Sequence, residues 1–182
     1  LYTATEAGGR YLPDASLGVC RPQLSATAQH QLFHNQSRLN AVESRVGAGV
    51  TCPLTTQYGP QQLMVDVSAL YNSPVRSGRP GGGRQGWQVN VDWQWQLPHG
   101  VLLTQLNHTE TDDKRGYNPI LADGAERELK RSYVLLQYRQ PRLFGKPETT
   151  LLFNIYHQKQ RSNLELFRST DSTVEIGISH RF

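Results

Sequence analysis

Trp87-Gln88-Val89-Asn90-Val91-Asp92-Trp93-Gln94-Trp95-Gln96-Leu97 alternates apolar and polar residues without an exception. Successive side chains of a β-strand point to opposite faces. Trp87, Val89, Val91, Trp93, Trp95 and Leu97 therefore share one face, and Gln88, Asn90, Asp92, Gln94 and Gln96 the other. A helix would scatter both sets around its circumference, so the stretch reads as a strand.

The pattern recurs on both sides of this segment. Leu63, Val65, Val67, Ala69 and Tyr71 alternate with Met64, Asp66 and Ser68, and Leu151, Phe153 and Ile155 alternate with Asn154, Tyr156 and Gln158. At the end of the chain Val174, Ile176, Ile178, His180 and Phe182 lie opposite Thr173, Glu175, Gly177, Ser179 and Arg181. Eight strands follow, near 24–33, 38–52, 62–71, 86–97, 101–110, 128–140, 149–160 and 173–182. Residues 1–23 form a lead-in whose opening, 1–11, looks like the tail of another strand. No apolar run approaches the roughly 18 residues a spanning helix needs, whereas strands of about 9–11 residues suffice for a tilted barrel. The fold expected for 1–182 is an all-β, antiparallel, up-and-down transmembrane β-barrel, either complete at about eight strands or part of a larger one.

The connections are turn-like. A two-residue turn at His99-Gly100 would place Leu102, Thr104 and Leu106 on the tryptophan face. The segment 72–85, with its Pro80-Gly81-Gly82-Gly83 run, reads as a flexible loop, and 110–127 is the longest connection. With a periplasmic C-terminus, 72–85, 111–127 and 161–172 lie outside, and 53–61, 98–100 and 141–148 lie inside. Long outside and short inside is the habit of outer-membrane barrels. Lipocalins and β-sandwiches also alternate, with the apolar face turned inward. The tryptophans, however, cluster near strand ends as an interfacial girdle requires, and the polar face suits a hydrated lumen. The chain opens on Leu1 without Met, a basic region or an apolar region, so the expectation is a longer chain that was cut, the alternative being a removed signal peptide.

A net charge of +4 and a pI near 9.2 raise nucleic acid as a partner. The basic residues are nonetheless scattered, without a helix cluster or fingerprint, and no nucleic-acid role is expected. Strand parity puts Glu43, Arg45, Asp66, Asp92, Arg131, Arg139, Glu175 and Arg181 on polar faces. An Arg or Lys facing lipid at the midplane costs about 2–4 kcal/mol, so these groups should point into the lumen. They would there contact a solute or form an ion-pair network that fills a narrow barrel. If a turn near 34–37 makes a hairpin and His30 pairs with Val42, positions summing to 72 oppose one another. Cys20 then meets Cys52, and a disulfide is feasible in an oxidising compartment. Pro22 breaking the ladder would instead leave two free thiols. No His cluster accompanies the cysteines, so neither metal nor cofactor is expected. His108 and His157 lie near strand ends, with Ser132 and Ser162 as candidate partners, but no short motif ties them together and no enzyme is expected.

Glu175-Ile176-Gly177-Ile178-Ser179-His180-Arg181-Phe182 resembles the C-terminal β-signal that the barrel-assembly machinery reads, carried here by Gly177 and Phe182, with His180 departing from the usual apolar residue. Gly116-Tyr117-Asn118-Pro119-Ile120-Leu121, with Gly124-Ala125 and Arg127, resembles an outer-loop segment of the surface lipoprotein assembly modifier family of tetratricopeptide-linked barrels. Gln160-Arg161-Ser162-Asn163-Leu164-Glu165-Leu166-Phe167 is similar to that family's last outer loop, so the resemblance covers about 111–182. It implies a C-terminal barrel module of an export or translocation pore in the outer membrane of a Gram-negative bacterium. Outer-membrane lipid, the assembly machinery and surface lipoprotein cargo would be the partners, and Tyr117, Asn118, Pro119, Asn163 and Phe167 the outer-loop contacts. The alternative is a small stand-alone structural or adhesive barrel without transport.

Overall fold

A computed structural model describes residues 2–118 and 122–180. The described chain is all-β, with nine strands in one sheet in sequence order, every neighbouring pair antiparallel. These are β1 (Tyr2–Tyr11), β2 (Arg21–Phe33), β3 (Ala41–Thr56), β4 (Gly59–Pro74), β5 (Arg84–Leu97), β6 (Gly100–Gly116), β7 (Glu126–Pro141), β8 (Thr149–Ser162) and β9 (Ser169–His180). Among the described residues there is no α-helix, only four single 3-10 turns in the connections.

The opening segment, expected as a lead-in or partial strand, is a full ten-residue strand, so the described sheet has nine strands rather than eight. It pairs with β2 from Tyr2↔Phe33 to Tyr11↔Leu24. Its Ala7-Gly8-Gly9 centre lacks the apolar side chains that mark the other strands. Most of the remaining strands run further than periodicity alone suggested, at one end or both, because polar rows continue past the apolar band, whereas β3 begins at Ala41 rather than at 38, since Ser37–Leu39 form a 3-10 turn. The connections shrink accordingly to 57–58, 75–83, 98–99, 117–125 and 163–168. Pro98-His99, not His99-Gly100, makes the turn between β5 and β6, since Leu97 pairs with Gly100 and Trp95 with Leu102. The ladder has moved by two residues, which leaves Leu102, Thr104 and Leu106 on the tryptophan face because side-chain direction repeats every second residue.

β2 and β3 pair with positions summing to 72, His30 opposite Val42, and a disulfide joins Cys20 to Cys52 just beyond the last ladder pair. Pro22 stays inside β2. It lies past the end of the β1 ladder, where an absent N–H faces an unpaired edge.

The sheet's two faces reverse the usual order of burial. Large apolar side chains on the tryptophan face are exposed, with Leu24 and Val67 at 50% and Ile176 at 73%. Polar side chains on the opposite, concave face are sheltered, with Asn72 at 6% and Asn107 at 7%. No apolar residue larger than Leu is buried among the described residues, and only Ala41, Cys52, Leu129, Leu143 and Leu164 are buried at all. Among the described residues no helix is long and apolar enough to cross a membrane, a statement that does not bear on strands. β1 and β9 end the ladder and expose every described side chain. Both are odd-numbered strands of a meander and therefore run in the same direction.

Candidate functional site: a polar concavity and its rim

Six strands, β3 to β8, curve around a concavity of about 550 Å³. Its lining includes Gln88, Gln105, Asn107, Thr109, Tyr133 and Gln158, interleaved with Glu43, Arg45, Arg84 and Arg131. These residues converge because the same parity of every strand faces inward, so one residue in two from each strand is delivered to a single surface.

Hydrogen bonds link the inward side chains across strands. Asn90 Nδ2 donates to Asp66 Oδ2 at 2.7 Å, Asn107 donates to Asn90, and Thr109 donates to Asn107 at 3.1 Å. Gln105 donates to Asp92 at 2.9 Å, Gln137 to Asn154 at 3.0 Å, and Asn154 to Glu175 at 3.3 Å. Tyr133 and Tyr156 pack with centroids 6.1 Å apart. Arg131 directs Nε and Nη2 at Gln160 Oε1, at 3.0 and 2.7 Å, and Gln160 Nε2 donates to the Phe167 carbonyl at 2.6 Å.

At the end of the sheet that carries the 75–83, 117–125 and 163–168 connections, Asp113 is 4% exposed. A bulge places it there. The β6–β7 register steps from Asp112↔Glu128 to Gly116↔Glu126, leaving Asp113, Lys114 and Arg115 out of that ladder. The Lys114 and Arg115 N–H groups bond instead to the carbonyls of Gly83 and Gly81, at 2.8 and 3.1 Å, which ties the 75–83 connection to the end of β6. Asp113 Oδ1 accepts from Arg84 Nε at 3.0 Å and from Arg127 Nη2 at 3.2 Å. Arg127 Nε lies 3.0 Å from Oδ2 without hydrogen-bond alignment. The Arg127 guanidinium lies 4.4 Å from the Tyr117 ring centre and 4.5 Å from that of Phe167, the two rings meeting edge to face at 4.8 Å. Gly81, at φ +76°, packs so closely that a Cβ would overlap the Asp113 carboxylate.

Arg79 donates to Asn72, Asn72 donates to Glu43 at 3.3 Å, and Glu43 holds Arg45 through Nε and Nη2 at 2.9 and 2.5 Å. Burial, first, and then the neighbouring Arg84 push the Arg79 guanidinium below its ordinary value, partly offset by Asp113. Arg45, Arg79, Arg84, Arg127 and Arg131 thus surround Glu43 and Asp113, with Asp171 at the flank opposite Gln158. The excess of positive charge favours anionic over cationic solutes at this end.

Glu43, Arg45, Asp66, Asp92 and Arg131 lie on the concave face and are engaged as described. Arg139 and Glu175 share that face by register, opposite Leu152 and Asn154. Gly177 opposes Leu152 on the exposed strand β9. Tyr117 and Phe167 grip Arg127, and Asn163 accepts from Glu128 N at 2.9 Å and donates to Glu126 O at 2.7 Å, so these three side chains bind their own chain. Asn118 lies in the same 117–125 connection. Pro119, Arg181 and Phe182 lie outside the described residues. Asp113, Arg79, Arg84 and Arg127 escaped the sequence reading because it treated their segments as loops. The signal was present: Arg84 continues the Gln88 row, and Asp113 continues the row of Asn107, Thr109 and Thr111.

On the convex face the apolar rows end in aromatic and polar rims. Trp93 and Trp95 stack at 5.5 Å, with Trp95 Nε1 donating to the Tyr58 carbonyl at 3.2 Å, at the short-turn end. Trp87 packs on His108 at 5.3 Å toward the other end. His108 Nδ1 lies 2.7 Å from Ser132 Oγ, and His157 Nδ1 lies 2.8 Å from Ser172 Oγ. Ser162 is elsewhere, with its hydroxyl accepting from Leu164 N at 3.1 Å. Among the described residues no cluster of three or more His, Cys, Asp or Glu is arranged to hold a metal. Comparison with protein-family models, curated proteins and solved structures finds no match to the chain.

Proposed function

We propose that the chain is a module of an outer-membrane β-barrel serving an export or translocation pore, for surface lipoproteins or other hydrophilic-surfaced cargo. The inverted burial carries this reading: Leu24, Val67 and Leu106 face outward while Asn72, Asn107 and Asp113 are covered. In water that arrangement exposes apolar area at about 25 cal/mol per Å² and gains nothing from it. In a bilayer the same surface is solvated by acyl chains, and the polar lining encloses water. Trp87 and Trp95, eight residues apart on β5, are separated by about 27 Å along the strand and about 20 Å along the normal at a ~40° tilt. That spacing suits two interfacial aromatic girdles. The lipoprotein cargo rests on the outer-loop resemblance.

Strand parity favours a wider pore over the stand-alone barrel. β1 and β9 run in the same direction, so an all-antiparallel closure requires an odd number of further strands between them. The test is fluorescence of Trp87, Trp93 and Trp95 in vesicles whose lipids carry bromine at defined acyl depths. Quenching strongest near the headgroup end of the chains, with weak quenching by aqueous acrylamide, is the expected result. Strong acrylamide quenching with no effect of brominated lipid overturns the membrane reading.

A further inference from the structure

We propose that Ser132, His108 and Glu110, on the convex face at the long-connection rim, form an esterase site for the acyl esters of an amphipathic lipid. The three side chains come from adjacent strands in direct register, since His108 pairs with Ser132 and Glu110 with Lys130 across β6–β7. Ser132 Oγ lies 2.7 Å from His108 Nδ1, and the other ring nitrogen, Nε2, lies 3.3 Å from Glu110 Oε1. This is nucleophile, base and orienting carboxylate in sequence, with Nδ1 as the acceptor and the Nε2 proton turned to Glu110 in the tautomer the network selects. Trp87 packs 5.3 Å from the imidazole, and Lys130 Nζ holds Glu110 at 3.2 Å, so the base and its orienter are both held in place.

The surroundings suit a lipid. Ser132 is exposed, and the convex surface toward mid-strand carries Leu106, Val134 and Ile155, each roughly two-fifths exposed. Lys159 stands directly opposite Ser132 on β8, Arg161 opposite Lys130, and neither cation makes an ion pair or side-chain hydrogen bond among the described residues. With Lys130 held by Glu110, Lys159 and Arg161 are the two cations of this patch that no anion shares among the described residues. A phosphorylated headgroup would occupy that place, with the acyl chains laid along the apolar rows. The His157–Ser172 pair, at 2.8 Å, has the same two residue types but no carboxylate on its imidazole, and serves as an internal comparison.

In the reaction, Ser132 Oγ attacks the ester carbonyl carbon and its proton passes to His108 Nδ1. The tetrahedral alkoxide forms beside the Lys159 ammonium. Its collapse breaks the acyl–oxygen bond, and the leaving alkoxide takes the proton from His108 and departs as the lysolipid. Water then attacks the acyl-serine with His108 again as base, releasing the fatty acid and restoring Ser132.

The lipid substrate rests on the membrane reading above, whereas the chemistry does not, so two probes separate them. The full chain, refolded in detergent and checked by circular dichroism, is treated with a fluorophosphonate and with p-nitrophenyl octanoate, then reconstituted with phosphatidylglycerol. Phosphonylation of Ser132, p-nitrophenol release and fatty-acid release are expected. Ser132→Ala abolishes all three, and His108→Asn lowers turnover by about 1,000-fold or more. Glu110→Gln, a change at a positioning residue, lowers kcat for p-nitrophenyl octanoate and leaves its KM unchanged, because the imidazole loses the carboxylate that orients it. Ser172→Ala leaves both probes unchanged. Turnover that survives Ser132→Ala, or a folded chain that neither labels at Ser132 nor cleaves p-nitrophenyl octanoate, overturns the proposal. Cleavage of the soluble ester without phosphatidylglycerol cleavage overturns its lipid half.

Discussion

Leu106→Arg and Gln105→Arg differ by one position and test which face of the sheet meets lipid. Leu106 lies mid-strand on β6, 43% exposed, between Val91 on β5 and Val134 on β7. Roughly 80 Å² of its surface is open, worth about 2 kcal/mol when transferred from water to acyl chains at about 25 cal/mol per Å². An arginine there adds about 2–4 kcal/mol near the midplane, so Leu106→Arg should destabilise the bilayer-inserted chain by about 4–6 kcal/mol. Gln105 faces the concavity and donates to Asp92 at 2.9 Å, so an arginine in its place gains an ion pair and should change stability by less than about 1 kcal/mol. The assay is equilibrium urea unfolding from phospholipid vesicles, followed by tryptophan fluorescence. On a water-facing surface Leu106→Arg would cost no more than about 0.5 kcal/mol. A change below about 1 kcal/mol for Leu106→Arg, or an equal cost for Gln105→Arg, refutes the orientation.

Replacing both Cys20 and Cys52 by Ser opens a loop of sequence separation 32 and should lower stability by at most about 3–4 kcal/mol, read as a drop in the urea midpoint that reductant reproduces in the parent. Asp113→Asn leaves Arg79, Arg84 and Arg127 crowded without their central carboxylate and should cost about 3 kcal/mol. Its signature is trypsin cleavage after Arg76, and a 75–83 connection still resistant to trypsin would refute the role given to Asp113. Gly81→Ala should reproduce that lability at a cost of about 1–3 kcal/mol, through strain at φ +76° and overlap with the carboxylate. Gly177→Ala, where nothing lies within 4 Å of the added methyl, should be silent in the same assay.

Alternation by itself determined which side chains share a face. In the 87–97 stretch no other conformation sorts tryptophan, valine and leucine from glutamine, asparagine and aspartate so completely. Parity also placed Glu43, Arg45, Asp66, Asp92 and Arg131 on the polar side, since moving a turn by one residue, as at 98–100, shifts the ladder by two and leaves direction untouched. Periodicity says nothing, however, about which face is concave, because soluble and membrane barrels alternate alike. Only the tertiary structure, by covering Asn72 and Asn107 while exposing Val67 and Leu106, decided that the polar face turns inward.

The same limit governs the sites. Asp113 and Arg127 meet through a bulge and a connection that the one-dimensional pattern reads as loop. Ser132 and His108 are 24 residues apart and become neighbours only when β6 and β7 lock in register. Face is a local property of strand geometry and can be read residue by residue. Register, curvature and cross-strand contact depend on how strands pair at a distance, and for those the chain must fold before its chemistry is visible.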